Sequence, residues 1–499
     1  MKMVKSLILG SAAALVAMGG AQAADLPLKA KAVEYVKVCS LYGAGFYYIP
    51  GTDTCIKLGG YLRADVTFNG SGAYNAPAWA GDAGKGTRLK NDYIFRSRQD
   101  INIDTRTATE YGVVRTYFDA VFNWTTGSDS IAGGSVGVYY AFIQFAGFTI
   151  GKAVSQFDTP WTGYPGNNTS FLIGGYDDVT GINQISYTMQ FGNGVSAAIS
   201  LEDQSAYLQG GLYNVDAIPA VAATAGPLYL AGVPGVNSYA GVQAPDIVGQ
   251  IRVDQAWGLF QLSAAAHQVR ASYYTSGALR GAGATLDETL GHPGDKWGYA
   301  VQAALSLKNL PTGPGDSVNI TATYAHGASR YVIGGVSPNN FAMFGGTGNP
   351  AAYQSIAYAT SGDGVFGNQT GIELSSIWGV RGAFNHNWSP TWSSSLFGAY
   401  TSVNWGGGGS NLICTAQALT APFAAGNCNP DFAISQIGTV TRWTPVRGLT
   451  FSGEVMYTHL DQNNSGFITG GPGAGKPVRT YEFKDQDTWS GLLRAQRTF

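Results

Sequence analysis

The sequence predicts an all-β chain that closes into a membrane-spanning antiparallel barrel of sixteen strands, with short turns at one end and long loops at the other. Three observations predict it. Segments with apolar residues on one parity and polar residues on the other recur along most of the 499 residues, which is the period-two signature of strands with one greasy face. The connections between these segments alternate strictly between short and long. Only 12% of residues are charged, about half the ~25% usual for a soluble domain, while 70 Gly, 28 Tyr, 23 Phe and 11 Trp supply turns and aromatic ribbons.

The chain opens with Lys2 and Lys5, an uncharged stretch from Ser6 to Gly20, and Ala21-Gln22-Ala23. That order is the pattern of a secretory signal peptide over residues 1–23, so the expected mature chain starts at Ala24. Its cleavage removes two lysines and no acid and leaves a net charge of −4. Export permits disulfides. Four cysteines allow three connectivities; the local pairs Cys39/Cys55 and Cys414/Cys428 are the expectation, each loop contributing about 3 kcal/mol in the chain-entropy picture. Residues 24–55 carry Lys29, Lys31, Glu34 and Lys37 and read as a periplasmic N-terminal segment ahead of the first strand.

Strand 1 is expected over 56–68. Ile56, Leu58, Leu62, Ala64, Val66 and Phe68 share one parity, with Lys57, Tyr61, Arg63, Asp65 and Thr67 between them. The remaining segments are 93–105, 111–124, 136–146, 148–154, 181–191, 195–203, 246–254, 259–268, 296–308, 317–325, 372–387, 391–401, 433–443, 449–459 and 488–499. The fourth, fifth, thirteenth and fourteenth alternate poorly. Short turns such as Gly192-Asn193-Gly194 and Ser389-Pro390 follow the even-numbered strands, and the long connections are rich in Gly, Asn, Ser and Pro. Short periplasmic turns, long outer loops and an apolar outer face characterise a transmembrane barrel, and only helices or closed barrels cross bilayers. The uncharged stretch Ala217 to Val236 holds three prolines and is no spanning helix. Trp297, Tyr299, Trp378, Trp388 and Phe499 are expected in interfacial girdles.

Two stretches mimic other chemistry. Gly470 to Lys476 resembles a phosphate loop, but Pro477 stands where Ser or Thr must hold Mg²⁺. His459 near Asp461 resembles an acid/base pair with no nucleophile placed beside it by parity, and His267 and His386 read as wall residues. A net charge of −2 and five His point away from nucleic acid and from a His-rich metal tract, and no cofactor is expected.

Three runs carry a resemblance to a known family: Cys55 to Asp65, Arg96 to Gly112, and Gly491 to Phe499 with its terminal aromatic. They resemble the porins of alphaproteobacterial outer membranes. The resemblance covers most of the mature chain through its strands. It implies one barrel domain over residues 24–499, a homotrimer among outer-membrane lipid and lipopolysaccharide, and passive, non-enzymatic passage of small hydrophilic solutes and ions. It also implies that the third outer loop folds inward to narrow the lumen.

That loop is 155–180, with aromatics to pack on a wall and acids to face water. Parity turns Arg96 and Arg98 of strand 2 and Arg115 of strand 3 inward, and at ~3.3 Å per residue Arg63, Arg98 and Arg115 fall at similar height. Arg63, Arg96, Arg98 and Arg115 are thus the expected basic wall of a constriction, and Asp158, Asp177 and Asp178 the loop acids facing it across the water. Ordinary cross-strand pairing, such as Arg98 with Asp65 or Asp119, is the bland alternative for the same side chains. A rival from another class is a plugged or closed barrel serving as adhesin, receptor or hydrolase.

Overall fold

The computed structural model describes residues 37–70, 76–161, 163–176, 180–204, 210–217, 235–276, 285–334, 337–420, 424–471, 473 and 475–499. The expected signal peptide and the whole stretch 24–36 lie outside them. The chain divides into two units, Met1–Ile56 and Lys57–Phe499. In the first, the 3₁₀ turn Ser40–Tyr42 and the pairing of Tyr47–Tyr48 with Cys55 and Ile56 are locked by the disulfide Cys39–Cys55, which Phe46 covers.

Sixteen strands among the described residues, the first of which begins in the last three residues of the first unit, form one closed antiparallel sheet, as the periodicity predicts. They are β1 (Thr54–Phe68), β2 (Tyr93–Thr109), β3 (Gly112–Thr125), β4 (Ser135–Phe145), β5 (Phe148–Ala153), β6 (Ile182–Gly192), β7 (Val195–Glu202) and β8 (Asp246–Gln255). The others are β9 (Gly258–Val269), β10 (Lys296–Lys308), β11 (Ser317–His326), β12 (Ser376–Ser389), β13 (Trp392–Asn404), β14 (Phe432–Val446), β15 (Leu449–Gln462) and β16 (Gln486–Thr498). Each pairs with its chain neighbour, and β16 closes on β1 from Tyr61↔Thr498 to Phe68↔Gly491. Closure leaves no open sheet edge for the hydrocarbon layer to desolvate.

The side chains obey the alternation. Leu58, Leu62, Phe95, Ile101, Ile251, Leu262, Val301 and Leu493 are exposed outward, while Asp65, Arg96, Arg98, Asp100, Gln261, Gln302 and Glu454 are buried. The five aromatics expected in girdles are all exposed. Rings gather toward both ends of the wall: Trp392, Trp443 and Phe451 stack near the short-turn end, and Tyr299 with Tyr324 and Trp378 with Tyr400 near the other. The short turns use residues suited to left-handed backbone; Asn193 and Gly194 sit at φ 51° and 74°, as a tight hairpin turn demands.

Two departures from the sequence reading stand out. Strand 12 begins at Ser376 rather than 372, because Glu373–Leu374 joins a small outer sheet with Gly364–Phe366, Leu212–Asn214 and Val236–Asn237. The long connection after β13 contains a helix, α1 (Gly406–Thr420), unannounced by its four opening glycines and tied at Cys414 to Cys428.

The long loops also build an apolar core of their own. Trp79 packs edge-on against Phe171 and Phe341, and Phe157, Tyr176 and Tyr331 form a second ring cluster. Polar anchors fix it to the rim. Asp363 accepts hydrogen bonds from Ser329 N (2.5 Å), Ser329 Oγ (2.7 Å) and Tyr239 Oη (2.5 Å), and Asp246 accepts from Tyr331 Oη (2.7 Å) and faces His267 Nδ1 at 2.9 Å. Burial alone would raise the Asp363 carboxyl, but His267, Tyr239 and Ser329 outweigh it and hold the group below the ordinary 3.8.

Two expectations follow. Leu262→Arg, in the middle of the outer wall, should destabilise the barrel by about 2–4 kcal/mol, whereas Val446→Arg at the short-turn end should cost only about 0–1 kcal/mol; urea unfolding in lipid vesicles separates them. A depressed carboxylate stabilises above its unfolded pKa, and that stability is lost as pH falls through the folded value. The loop core should therefore stay intact at pH 5–7 and loosen only below pH 3.8, read as near-ultraviolet dichroism of its rings, while Asp363→Asn loosens it at neutral pH.

Candidate functional site: the constricted passage

The connection between β5 and β6 enters the barrel and is stitched to its wall by polar side chains of β6 and of seven further strands. Glu202 of β7 accepts from Ser155 Oγ (2.6 Å) and Gln156 N (2.9 Å), and Gln250 of β8 holds the Gln156 amide (2.5 Å). Gln261 of β9 donates to the Asp158 carbonyl (2.8 Å). Asn319 of β11 and Asn385 of β12 both donate to the Pro165 carbonyl, at 2.7 and 3.1 Å.

At the tip, Arg442 of β14 donates to the Gly166 carbonyl (2.5 Å), and Glu454 of β15 accepts from Asn168 N and Thr169 N. Arg381 of β12 then takes the Leu172 and Tyr176 carbonyls. Backbone this closely pressed on a wall excludes side chains: a Cβ on Gly174, at φ +94°, would lie 2.8 Å from the Val380 carbonyl oxygen. Most described residues of the loop are buried, among them all of 167–176, so its inward path is fixed.

A second loop pairs with it: Gly174 N donates to Val332 O (3.1 Å) and Gly175 bridges Ile333 in parallel, so part of the connection 326–371 runs alongside the first loop.

A cavity of about 480 Å³ lies between the loop tip and the wall built by β1 to β4 and β14 to β16. The loop contributes Tyr164, Asn167 and Asn168, and the wall contributes Arg63, Arg98, Arg442 and Arg494 with Asp100 and Asp119. Each guanidinium is held. Arg63 Nε donates to Gln496 Oε1 (2.8 Å) and lies over Tyr61; Arg98 Nε donates to Asn123 Oδ1 (2.6 Å); Arg494 Nε donates to Asp65 Oδ1 (2.6 Å).

The residues expected at a constriction are thus distributed as follows. Arg63 and Arg98 line the cavity. Arg96, 2% exposed, is locked onto Asp65, so Asp65 is shared by Arg96 and Arg494. Arg115 and Arg106 flank Asp104, at 3.0 and 2.9 Å, nearer the short-turn end and away from the cavity lining. Asp158 is buried at 1% exposure with Oδ1 accepting from Thr159 N (3.0 Å) and does not line the cavity either, because the Gln261 bond draws that stretch of loop to the opposite wall. Asp177 and Asp178 lie outside the described residues. No group of three or more His, Cys, Asp or Glu side chains with metal-binding geometry occurs among the described residues.

Three participants escaped the sequence reading. Arg494 shares the inward parity of Gln496 on β16, so the alternation already marked it. Arg442 was hidden because outward Thr439 and Thr441 blunt the alternation of β14 and its pairing with β15 shifts register between Trp443 and Val446. Glu454 lies on inward parity, but only the loop's path reveals its role.

A closed barrel with an apolar exterior, a polar lumen and a loop folded against its inner wall has the architecture of a membrane channel for passive diffusion. The chain belongs to the alphaproteobacterial outer-membrane porins: the family model described as "Porin subfamily" matches residues 25–492. Its place is therefore the outer membrane of a Gram-negative cell. It is 35% identical over 367 residues to porin Omp2b of Brucella abortus (strain 2308), covering 69% of this chain and 93% of that protein, and equally so to porin Omp2b of Brucella melitensis biotype 1. Among solved structures it is similar in fold to the outer membrane channel DcaP of Acinetobacter baumannii, with a TM-score of 0.59 and 14% identity over 91% of this chain and 99% of that one.

The clamp at the loop tip yields a test. Glu454→Gln keeps the shape but loses the charge that two backbone N–H groups satisfy, an interaction worth roughly 1.5–3 kcal/mol. The expected outcome is a fully inserted channel with noisier and larger unitary currents in planar bilayers; wild-type currents would show that the tip is held without it.

Proposed function

We propose that solutes cross at the passage beside the loop tip, and that its basic wall makes the channel favour small anions and polar solutes over cations. The observation that carries this reading is the cavity lined by Arg63, Arg98, Arg442 and Arg494. Its two lining acids, Asp100 and Asp119, are 3% and 7% exposed and Arg98 is 6% exposed, so the half-buried Arg63, Arg442 and Arg494 present most of the charge to water. Charge lining a narrow, low-dielectric cleft concentrates counter-ions there. Asp177 and Asp178, on the same inward loop, are the proposed acidic counterparts that complete a transverse field across the opening. Arg96 and Arg115 act in this reading as supports that fix Asp65 and Asp104, and Asp158 as a loop anchor.

Around this passage we place a mature chain beginning after a cleaved signal peptide at 1–23, an N-terminal periplasmic segment over 24–55, and a homotrimer embedded among outer-membrane lipid and lipopolysaccharide. The family resemblance supports the assembly. The chain is a transporter without catalytic turnover.

One experiment tests the whole reading: planar-bilayer recording of detergent-extracted protein in a KCl gradient. Large ohmic steps that close in threes at high voltage, with a reversal potential on the anion side, are expected. Arg63→Ala/Arg442→Ala should move that potential toward cations, and the selectivity of the unmodified channel should weaken at high salt, since the Debye length is about 10 Å at 0.1 M. An unchanged potential in the double variant overturns the assignment. Silence from folded, inserted protein would favour the plugged barrel, for which the apolar core of the outer loops is the specific supporting observation.

A further inference from the structure

Apart from the passage, the outer loops build a second concave site. Three stretches frame it: 238–241, 270–274 and 286–292. Ser272 N donates to Ser238 O (2.8 Å), Ala240 N to Arg270 O (2.9 Å) and Tyr274 N to Gly291 O (2.9 Å), and Tyr239 bridges Ala271 as an antiparallel pair. The floor is thus a short main-chain ladder continuing from the outer end of β9, so the site is preformed. It encloses about 390 Å³, within the range of small-ligand pockets.

The lining combines flat apolar surface with unspent polar groups. Tyr273 presents a ring that is 38% exposed and is braced edge-on by His292, with centroids 6.2 Å apart; Leu286 forms an apolar rim. His292 Nδ1 lies 2.8 Å from the Pro293 carbonyl. A carbonyl only accepts, so Nδ1 carries the proton and Nε2 of the neutral ring is left as an acceptor. The Ser272 hydroxyl is buried and, among the described residues, has no hydrogen-bond partner. Arg270 offers further donors, yet its charge is balanced: Nη1 donates to Gly241 O (3.0 Å) and Nε lies 3.7 Å from Asp295.

We propose that this pocket binds a neutral sugar ring, either a free monosaccharide or one unit of a surface polysaccharide. A pyranose has an apolar C–H face that stacks on an aromatic ring such as Tyr273 and a girdle of hydroxyls that both donate and accept. His292 Nε2 as acceptor and the Arg270 guanidinium as donor supply that mixture at one small cavity, with the unpartnered Ser272 hydroxyl directly beneath its lining. The neutralised Arg270 argues against an anion as ligand, and the Tyr239 hydroxyl, already committed to Asp363 (2.5 Å), leaves only its ring for contact. This site is separate from the proposed passage and stands whether or not the anion preference holds.

The test is saturation-transfer difference NMR on the detergent-solubilised full chain, with D-glucose, D-galactose, D-mannose, D-glucuronate and dextran as probes. Saturable transfer from a neutral monosaccharide supports a free-sugar ligand; transfer from dextran alone supports a polysaccharide ligand. Tyr273→Ala and His292→Ala should each weaken binding roughly tenfold, the equivalent of 1.4 kcal/mol, while Tyr273→Phe retains it and bilayer conductance stays unchanged. The proposal is overturned if no neutral probe saturates, if glucuronate alone binds, or if binding survives Tyr273→Ala but is lost in Arg63→Ala/Arg442→Ala, which would put the sugar in the passage.

Discussion

The constraint on which everything else depends is that no backbone N–H or C=O may face hydrocarbon without a partner. Pairing β16 with β1 satisfies it for the whole wall at once. Closure then dictates the rest of the sequence pattern. Each strand has one face in lipid and one in the lumen, so the apolar set exemplified by Leu262 and Ile251 and the polar set exemplified by Gln261 and Gln250 must alternate without a slip, since a one-residue shift exchanges the faces.

A sixteen-stranded wall encloses more space than its own side chains fill, the porin case being the standard illustration of a barrel wide enough for an aqueous channel. Here the incoming loop occupies one side of that space, and its peptide groups determine where charge survives. On the filled side charges are consumed by backbone: Glu454 by Asn168 and Thr169 N–H groups, Arg381 by the Leu172 and Tyr176 carbonyls. Across from the loop tip Arg63 is held instead by the Gln496 side chain, with its ring partner Tyr61 beside it. The electrostatic character of the route is therefore a by-product of which wall the loop leans on.

The barrel was legible in the sequence because its determinant is local. Period-two alternation and loop length are read from neighbours in the chain, and they located all sixteen strands, including the short β5. The site was legible only where it obeyed the same rule, as Arg63 and Arg98 do. Residues whose role depends on partners far along the chain were not: Glu454 meets Asn168 across 286 positions, and Asp158 is withdrawn by Gln261 across 103. The helix Gly406–Thr420 was missed for a related reason. Its sequence has weak intrinsic preference, four glycines among the first residues each costing about 1 kcal/mol relative to Ala, and it is held by packing of Ile413 and Ala416 into the loop core and by the Cys414–Cys428 bond.

The triad of Asp65, Arg96 and Arg494 has a consequence for assembly in time. Asp65 and Arg96 belong to the first two strands, while Arg494 arrives with the last and reaches Asp65 across 429 positions of chain. Until that strand docks, the Asp65 carboxylate has only one of its two cationic partners. A docking error of a single residue would turn Arg494 toward the acyl chains and leave the carboxylate half satisfied. The seam is in this sense proofread by charge: the same three side chains that point inward in the finished barrel accept the final strand in one register and reject its neighbours.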